Sequence, residues 1–351
     1  MSALATTAAV FGAFDPPYWL ETTIKVLVVT LLVPTTALIL GIVFLFKVMS
    51  WMQSRLGPQE AGPRGLLQLL ADGVKFLQKE DLMPNGADKW VFRAAPVVVL
   101  VSTFLIYVAI PASPTLVVAD LPTGIFFVLA VSSLSVIGIL MAGWASANKY
   151  SLIGGLRAAG QLIAYELPMV LAVIGVVIQA GTLNLNGIVA AQSSGEIFGW
   201  SGLGYPFILT QFIGFAIFLL AVQAELTQAP FDMPVAESEI VSGYQVEYTG
   251  FRFLFFFLAE FATAFAFAAV ASVLFLGGWA VPWLDESSDW YFVLGPAVLF
   301  AKIMLVSFLI FWFRFTYPRF REDQLQTFAW KFLIPLSLVN ILATALFKVV
   351  M

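Results

Sequence analysis

The chain has no cysteine and no histidine in 351 residues. Without cysteine there are no disulfides and no thiolate-held iron–sulfur clusters. Without histidine there is no histidine-ligated haem and none of the usual zinc sites. By any common ligation the chain carries no redox metal of its own, so electrons for redox chemistry have to come from a partner. Charge is scarce too, at 11% of residues against 61% apolar. That balance excludes an ordinary soluble domain and fits a polytopic membrane protein. The first residues lack a basic n-region and are interrupted by Asp15-Pro16-Pro17. The expectation there is a retained N-terminal tail over 1–23, not a signal peptide. No internal repeat and no inverted pair of broken helices is visible, which weakens a secondary-transporter reading.

A helix crossing the hydrocarbon core needs about 20 apolar residues. Eight stretches qualify: 24–46, 91–110, 123–145, 162–180, 207–225, 252–276, 291–313 and 330–350. The expected fold is therefore all-α and polytopic, one integral membrane domain with about eight transmembrane helices. Of the 17 Lys and Arg, only Lys25, Lys302 and Lys348 lie away from the loops after segments 1, 3, 5 and 7. The positive-inside rule places those loops in the cytoplasm and both termini outside. Trp19, Trp279, Trp283 and Trp290 fall near the predicted outer interface and read as belt residues. The aromatic runs, such as Phe255-Phe256-Phe257, read as packing.

The first cytoplasmic loop, 47–90, is long. Within it Arg64–Lys79 reads as an amphipathic helix: at about 100° per residue, Gln68, Asp72, Lys75 and Lys79 share one stripe. Leu66, Leu67, Leu70, Val74 and Leu77 face the other way. Such a helix lies in the membrane interface with a solvated polar face, or walls a cavity for a lipid-like substrate. In the second cytoplasmic loop Gly154-Gly155 predicts a turn, followed by Arg157 and Gln161.

The acidic loop, 226–251, and its flanks place Glu225, Asp232, Glu237, Glu239, Glu247 and Glu260 in one window whose only basic residue is Arg252. Pro230 and Pro234 prevent a continuous helix. Like charges at a membrane edge favour proton handling. Glu166, Glu260 and Lys302 lie inside predicted spans, where ionisable groups pair, face water or serve a pathway. For each, the structural alternative is an intramembrane ion pair; for Glu225, at a span's edge, it is a solvated face.

Four runs together resemble one family: RLGPQEAGPRGLLQLLADGVKFLQKED, NKYSLIGGLRAAGQLIAYELP, APFDMPVAESEIVSGYQVEYTGFRFLFFFLAE and PRFREDQLQTFAWKFLIPLSLVNI. It is the H-subunit family of bacterial NADH–quinone oxidoreductase, respiratory complex I, and the resemblance covers about 47–345. The resemblance implies a subunit of a proton-translocating enzyme that does no covalent catalysis alone. It implies a quinone cavity involving Arg55, Gly57, Pro58, Gln68, Asp72, Lys75, Asp232, Glu237, Glu239 and Arg252. It implies a proton pathway through Glu166, Glu225, Glu239, Glu247 and Glu260, to which Lys302 is added as a further intramembrane charge. Arg319 and Arg321 match a basic loop that contacts hydrophilic subunits.

The same resemblance implies quinone as substrate, with FMN and iron–sulfur clusters in partner subunits and no cofactor bound here. Partners would be the redox-arm subunits, small membrane subunits, antiporter-like subunits and lipid, with no nucleic acid, in the bacterial inner membrane. Two stretches depart from the family: Leu45-Phe46-Lys47 stands where Glu-Arg-Lys is usual, and Gln59-Glu60-Ala61 stands within a usual GPNRVGP. The alternatives are the equivalent subunit of a ferredoxin- or coenzyme-F420-dependent dehydrogenase or of a membrane-bound hydrogenase. A free-standing proton-coupled transporter is a further one.

Overall fold

A computed structural model describes residues 18–195, 204–281 and 290–350. The first helix, α1, runs Tyr18–Met52. It is followed by α2 (Gln68–Gln78), α3 (Lys89–Ala109), α4 (Gly124–Ala145) and α5 (Lys149–Ala180). Next come α6 (Leu185–Ser193), α7 (Phe212–Glu225) and the single turn α8 (Glu237–Ile240). The chain continues through α9 (Gly250–Phe275), α10 (Tyr291–Thr316) and α11 (Glu322–Val349). Seven of these are long and apolar enough to cross a membrane, and α7 is a shorter apolar helix, which gives the eight segments expected.

The loops after crossings one, three, five and seven meet at one end of the bundle. Asp81 pairs with Arg252, Asn148 with Glu247, and Arg157 and Arg319 with the acidic loop. The remaining contacts between loops lie at the opposite end. There Asn184 bonds Asp120, Lys302 bonds the Gly278 carbonyl, and Lys348 reaches carbonyls at the end of α5. The crossings therefore alternate up and down, and the described chain begins and ends opposite the ion-paired end.

Helix α9 is the central post. Most of its residues from Phe256 onward are buried, alternating Phe with Ala. Small residues let neighbouring backbones approach, and hydroxyls then bond across helices where lipid offers no partner. Tyr107 of α3 donates to the Ala262 carbonyl at 2.8 Å and lies 2.6 Å from Thr36 of α1. Thr103 and Thr263 meet at 2.8 Å.

Several expectations need correction. Segment 1 begins at Tyr18, so 18–23 is helix and not tail, and its last turns are widened into a π-helix over Gly41–Val48. Segment 4 starts thirteen residues before 162, at Lys149, after Asn148 caps the first turn. Gly154-Gly155 is not a turn but lies inside α5. A Cβ on Gly154 would come within 2.6 Å of the Gly243 backbone, and one on Gly155 within 3.1 Å of Gly143. The pair is small because two other backbones cross there. Segment 8 begins at Glu322 and carries a π-turn, Ala329–Leu333, just before Pro335, whose missing N–H disturbs the regular ladder. The amphipathic helix starts at Gln68, because Arg64 takes a left-handed conformation (φ 53°) in a turn at Pro63–Gly65. Trp279 is not a belt residue: it is buried, and its indole donates to Asn186 at 3.2 Å. Trp19 and Trp290 are exposed as expected, while Trp283 lies outside the described residues.

A leucine at Gly154 should cost on the order of 1–3 kcal/mol or more, since the blocking atoms are backbone. Gly73→Ala, where an added Cβ meets no atom within 4 Å, should cost nothing. Melting midpoints of the purified assembly measure the difference.

Candidate functional site

Three features share the ion-paired end of α9. The first is an apolar cavity of about 580 Å³ between α1, α2 and α9. Leu45 and Phe46 of the π-helical stretch of α1, Leu69, Leu70, Val74 and Leu77 of α2, and Phe251, Leu254, Phe257 and Leu258 of α9 line it. Among the described residues, its only charged lining side chains are Asp72 and Lys75. Leu70, Val74 and Leu77 remain about half exposed, because the cavity is open. The volume lies within the range typical of small-molecule sites.

The second feature is a small polar chamber of about 50 Å³ on the other side of α9. It is lined by Glu225, Glu260, Thr227, Tyr244, Ser102, Ser132, Ser135 and Thr263, among apolar neighbours. At roughly 10–15 Å³ of such volume per molecule, it has room for about three to five waters. Glu260 is held by Arg314 at 3.1 Å and by the Gln228 amide at 3.0 Å. The Tyr244 hydroxyl, in the loop outside the spans, accepts from Gln245 at 3.0 Å. Burial, with the nearby Glu260 charge, pushes that phenol well above its usual range, so it stays neutral.

The third feature is the acidic loop. Arg319 lies 2.8 Å from Asp232 and 3.9 Å from Glu239, and donates to Ser238. Arg157 of α5 lies 2.7 Å from Glu239 and 3.4 Å from Glu322 of α11. The acidic window, which holds one basic residue in the sequence, is thus compensated by arginines from elsewhere in the chain. The loop also holds Thr227, Val241 and Ser242 at positive φ, a strained state for residues other than glycine. The ion pairs, and the Gln161 amide bonds to the Ala224 and Phe231 carbonyls, hold it there.

Other expected residues separate. Arg252 does not line the cavity; it points away, to Asp81 at 3.0 Å and over the Phe92 ring. Its neighbours Phe251 and Phe253 line the cavity instead. Gln68 bonds Asp72 at 3.1 Å and supports the wall from behind. The Pro58 carbonyl accepts from Lys47 at 2.8 Å, and a Cβ on Gly57 would sit 2.6 Å from the Phe46 carbonyl. Arg55 is exposed, and its guanidinium donates to Gln53 at 2.6 Å. Glu166 accepts from Ser133, where α4 is interrupted. Glu247 accepts from Asn148 at 2.5 Å, and Glu237 is exposed. Lys302 lies at the far end: its ammonium bonds the Gly278 and Ala280 carbonyls at 2.8 and 3.3 Å. Twelve residues at about 1.5 Å each separate it along α10 from Arg314, so it does not join the carboxylates. Arg321 is exposed and paired with Asp323 at 2.7 Å.

Sequence reasoning missed Arg314, Gln228, Asp81 and Tyr244. It also read Phe257 as packing, although that ring faces the cavity. An arginine one turn from the end of a span was a signal for Arg314. Nothing local marked the others.

A model of the family described as NADH dehydrogenase matches residues 24–345. The chain belongs to the NADH dehydrogenase family. Similar members include the H subunit of the NADH-quinone oxidoreductase of Anoxybacillus flavithermus, 49% identical over 310 residues that cover 88% of each chain. That of Brevibacillus brevis is 47% identical over 314 residues, 88% of this chain and 89% of the relative. That of Bacillus cytotoxicus is 48% identical over 310 residues, again 88% of each. As a family member the chain is a membrane subunit of complex I, an oxidoreductase assembly, and other subunits of that assembly are its partners.

Arg319, wedged between Asp232 and Glu239, should matter more for this family member's stability than the exposed Arg321. Arg319→Ala is expected to lower stability by on the order of 1–3 kcal/mol, because it leaves the partly buried Asp232 without its ion-pair partner, while Glu239 keeps Arg157. Arg321→Ala should leave the melting midpoint of the assembly unchanged. Thermal unfolding of both variants checks the ranking.

Proposed function

We propose that this chain forms the membrane-side quinone cavity of a proton-translocating NADH–quinone oxidoreductase and couples quinone reduction to proton movement. The observation that carries the reading is the position of α9 between the apolar cavity and the carboxylate chamber. Phe251, Leu254 and Leu258 face one, while Phe256, Ala259, Glu260 and Thr263 face the other. The basic loops then lie in the cytoplasm, in a bacterial plasma membrane, with both termini outside.

The cavity suits the isoprenoid tail of a quinone, whose burial is worth about 0.8 kcal/mol per methylene. Asp72 and Lys75 are its polar groups; Arg55, Gly57, Pro58 and Gln68 shape the loop and wall around it. Partner subunits would supply the FMN and iron–sulfur clusters that bring electrons, and Arg321 is the exposed residue best placed to contact them. The reduced quinone takes up protons, which changes charge at the cavity's head end.

One helix diameter, about 10 Å, separates the two compartments. At an effective dielectric constant near 20, two unit charges at that distance interact by about 1.7 kcal/mol. That is enough to shift a protonation equilibrium about tenfold. Asp232, Glu237 and Glu239 sense the change on the loop. Glu225, Glu260 and Glu166 pass it through the bundle toward antiporter-like subunits. Glu247 and Lys302 lie off this line, as an anchor of the loop and as a tie to the far end.

Two variants test the reading. Gly73 lines the cavity and an added Cβ there meets no atom within 4 Å, so Gly73→Trp starts a bulky side chain at an open point of the wall. It should raise the KM for a long-tailed quinone by on the order of tenfold or more, while NADH oxidation by a hydrophilic acceptor is unchanged. An unchanged KM would remove the cavity from the quinone path. Glu239→Gln keeps size and removes charge. It should lower quinone reduction and proton pumping together in an assembled complex, and normal rates would remove Glu239 from the coupling.

A further inference from the structure

Helix α2 forms one wall of the apolar cavity, yet none of its residues is buried. It lacks the packed face that fixes an ordinary helix. Apart from Phe76, whose ring lies 5.5 Å from that of Phe253 on α9, it is held by attachments at its two ends. At the N-terminal end, Lys47 on α1 donates to the Pro58 and Arg64 carbonyls and fixes the loop that leads into α2. Leu69 fits over Gly41, where a Cβ would come within 2.6 Å.

At the C-terminal end, the chain leaving α2 is tied to the start of α9. The Thr249 hydroxyl accepts from the Leu82 amide at 3.0 Å and donates to the Glu80 carbonyl at 3.3 Å. Gly250, at φ 55°, brings its backbone close to the Lys79 carbonyl, where a Cβ would sit 3.1 Å away. Arg252 then reaches Asp81 at 3.0 Å, with its guanidinium over the Phe92 ring and its stem largely shielded. Phe92 is itself stacked 4.1 Å from Tyr248. The guanidinium therefore leaves from a rigid aromatic support on α3 and holds a carboxylate just beyond the end of α2.

We infer that the Arg252–Asp81 ion pair, with Lys47 at the opposite end, pins α2 in place and so sets the width of the apolar cavity. Arg252, Asp81 and Lys47 are positioning residues: Arg252 and Asp81 touch nothing in the cavity, and they act through the wall helix. This rests on the proposed function only in naming what the cavity admits, a long-tailed quinone. Loosening either pin widens the range of wall positions. Long tails, which fill the whole slot, lose ordered contacts; a short-chain quinone, which uses only part of it, loses few.

The test uses the intact complex. Genetically encoded spin labels at Gln78 beside the C-terminal pin and at Leu152 on α5 report the wall position by pulsed distance measurement. Arg252→Gln and Asp81→Asn should each broaden that distribution. In both, the KM for a long-tailed quinone should rise by on the order of fivefold to tenfold with kcat little changed, and the KM for a short-chain analogue should hold. Lys47→Met should broaden the distribution from a label at Leu67 instead. Arg252→Lys, which keeps the charge, should restore most of the width and KM. Should either single variant fail to assemble, the exchanged pair Asp81→Arg with Arg252→Asp should assemble and recover a narrow distribution. An unchanged distribution in Arg252→Gln and Asp81→Asn overturns the pin. A broadened distribution with both KM values unchanged supports the pin and overturns the quinone assignment of the cavity.

Discussion

Carboxylates set against hydrocarbon have to be neutralised or hydrogen-bonded, because an isolated charge there is too costly to keep. Most of the ion-paired end of this bundle follows from that requirement. Asp232 and Glu239 need Arg319 and Arg157, Glu260 needs Arg314 and Gln228, and Glu247 needs Asn148. Those partners come from three regions of the chain: Asn148 and Arg157 at and after the third connection, Gln228 in the acidic loop, and Arg314 and Arg319 at the end of α10 and just beyond it. Meeting the requirement therefore draws the loops after crossings three, five and seven into one cluster. The cluster in turn holds the acidic loop in a backbone conformation that Val241 and Ser242 would not adopt alone.

Helix α9 converts that cluster into two separate compartments. Its Ala-rich half packs deep in the bundle, so the helix cannot shift without disturbing most of its neighbours. Its first three turns instead divide an apolar slot from a polar, carboxylate-lined chamber. The two environments stay distinct because a helix exposes no free backbone polar groups along its sides. A rigid post between an apolar slot and titratable groups is the arrangement on which the proposed electrostatic coupling rests. The wall on the other side of the slot, α2, is the opposite case: none of its residues is buried, and polar ties hold the chain at both of its ends.

The membrane class and the number of crossings were legible from composition and run length alone. So was alternation of the loops, since fourteen of the seventeen basic residues fall on one side. The amphipathic helix was readable too, apart from its first turn, where the left-handed Arg64 interrupts the period. Reading failed where small or polar residues serve a distant partner. Gly154-Gly155 has the local signature of a turn, but serves a close crossing of backbones. Trp279 has the signature of an interface belt, but fills a buried pocket with its indole bonded to Asn186. Arg252 sits beside the cavity residues in sequence, but a helix turns successive side chains by about 100°, and it points to Asp81.

Hydrophobic run length, proline placement and the distribution of Lys and Arg are local quantities. They determined by themselves that this is an eight-crossing helical membrane protein with a long basic first loop and an acidic third one. The motifs, read as a resemblance, pointed to its family. Which arginine neutralises which carboxylate, and which phenylalanines line a cavity rather than fill the core, was decided only by tertiary structure. The pairs concerned are separated by 54 to 171 positions, from Glu260–Arg314 to Asp81–Arg252. No local pattern encodes such a distance; it is set when the helices pack and each buried charge takes the partner within reach.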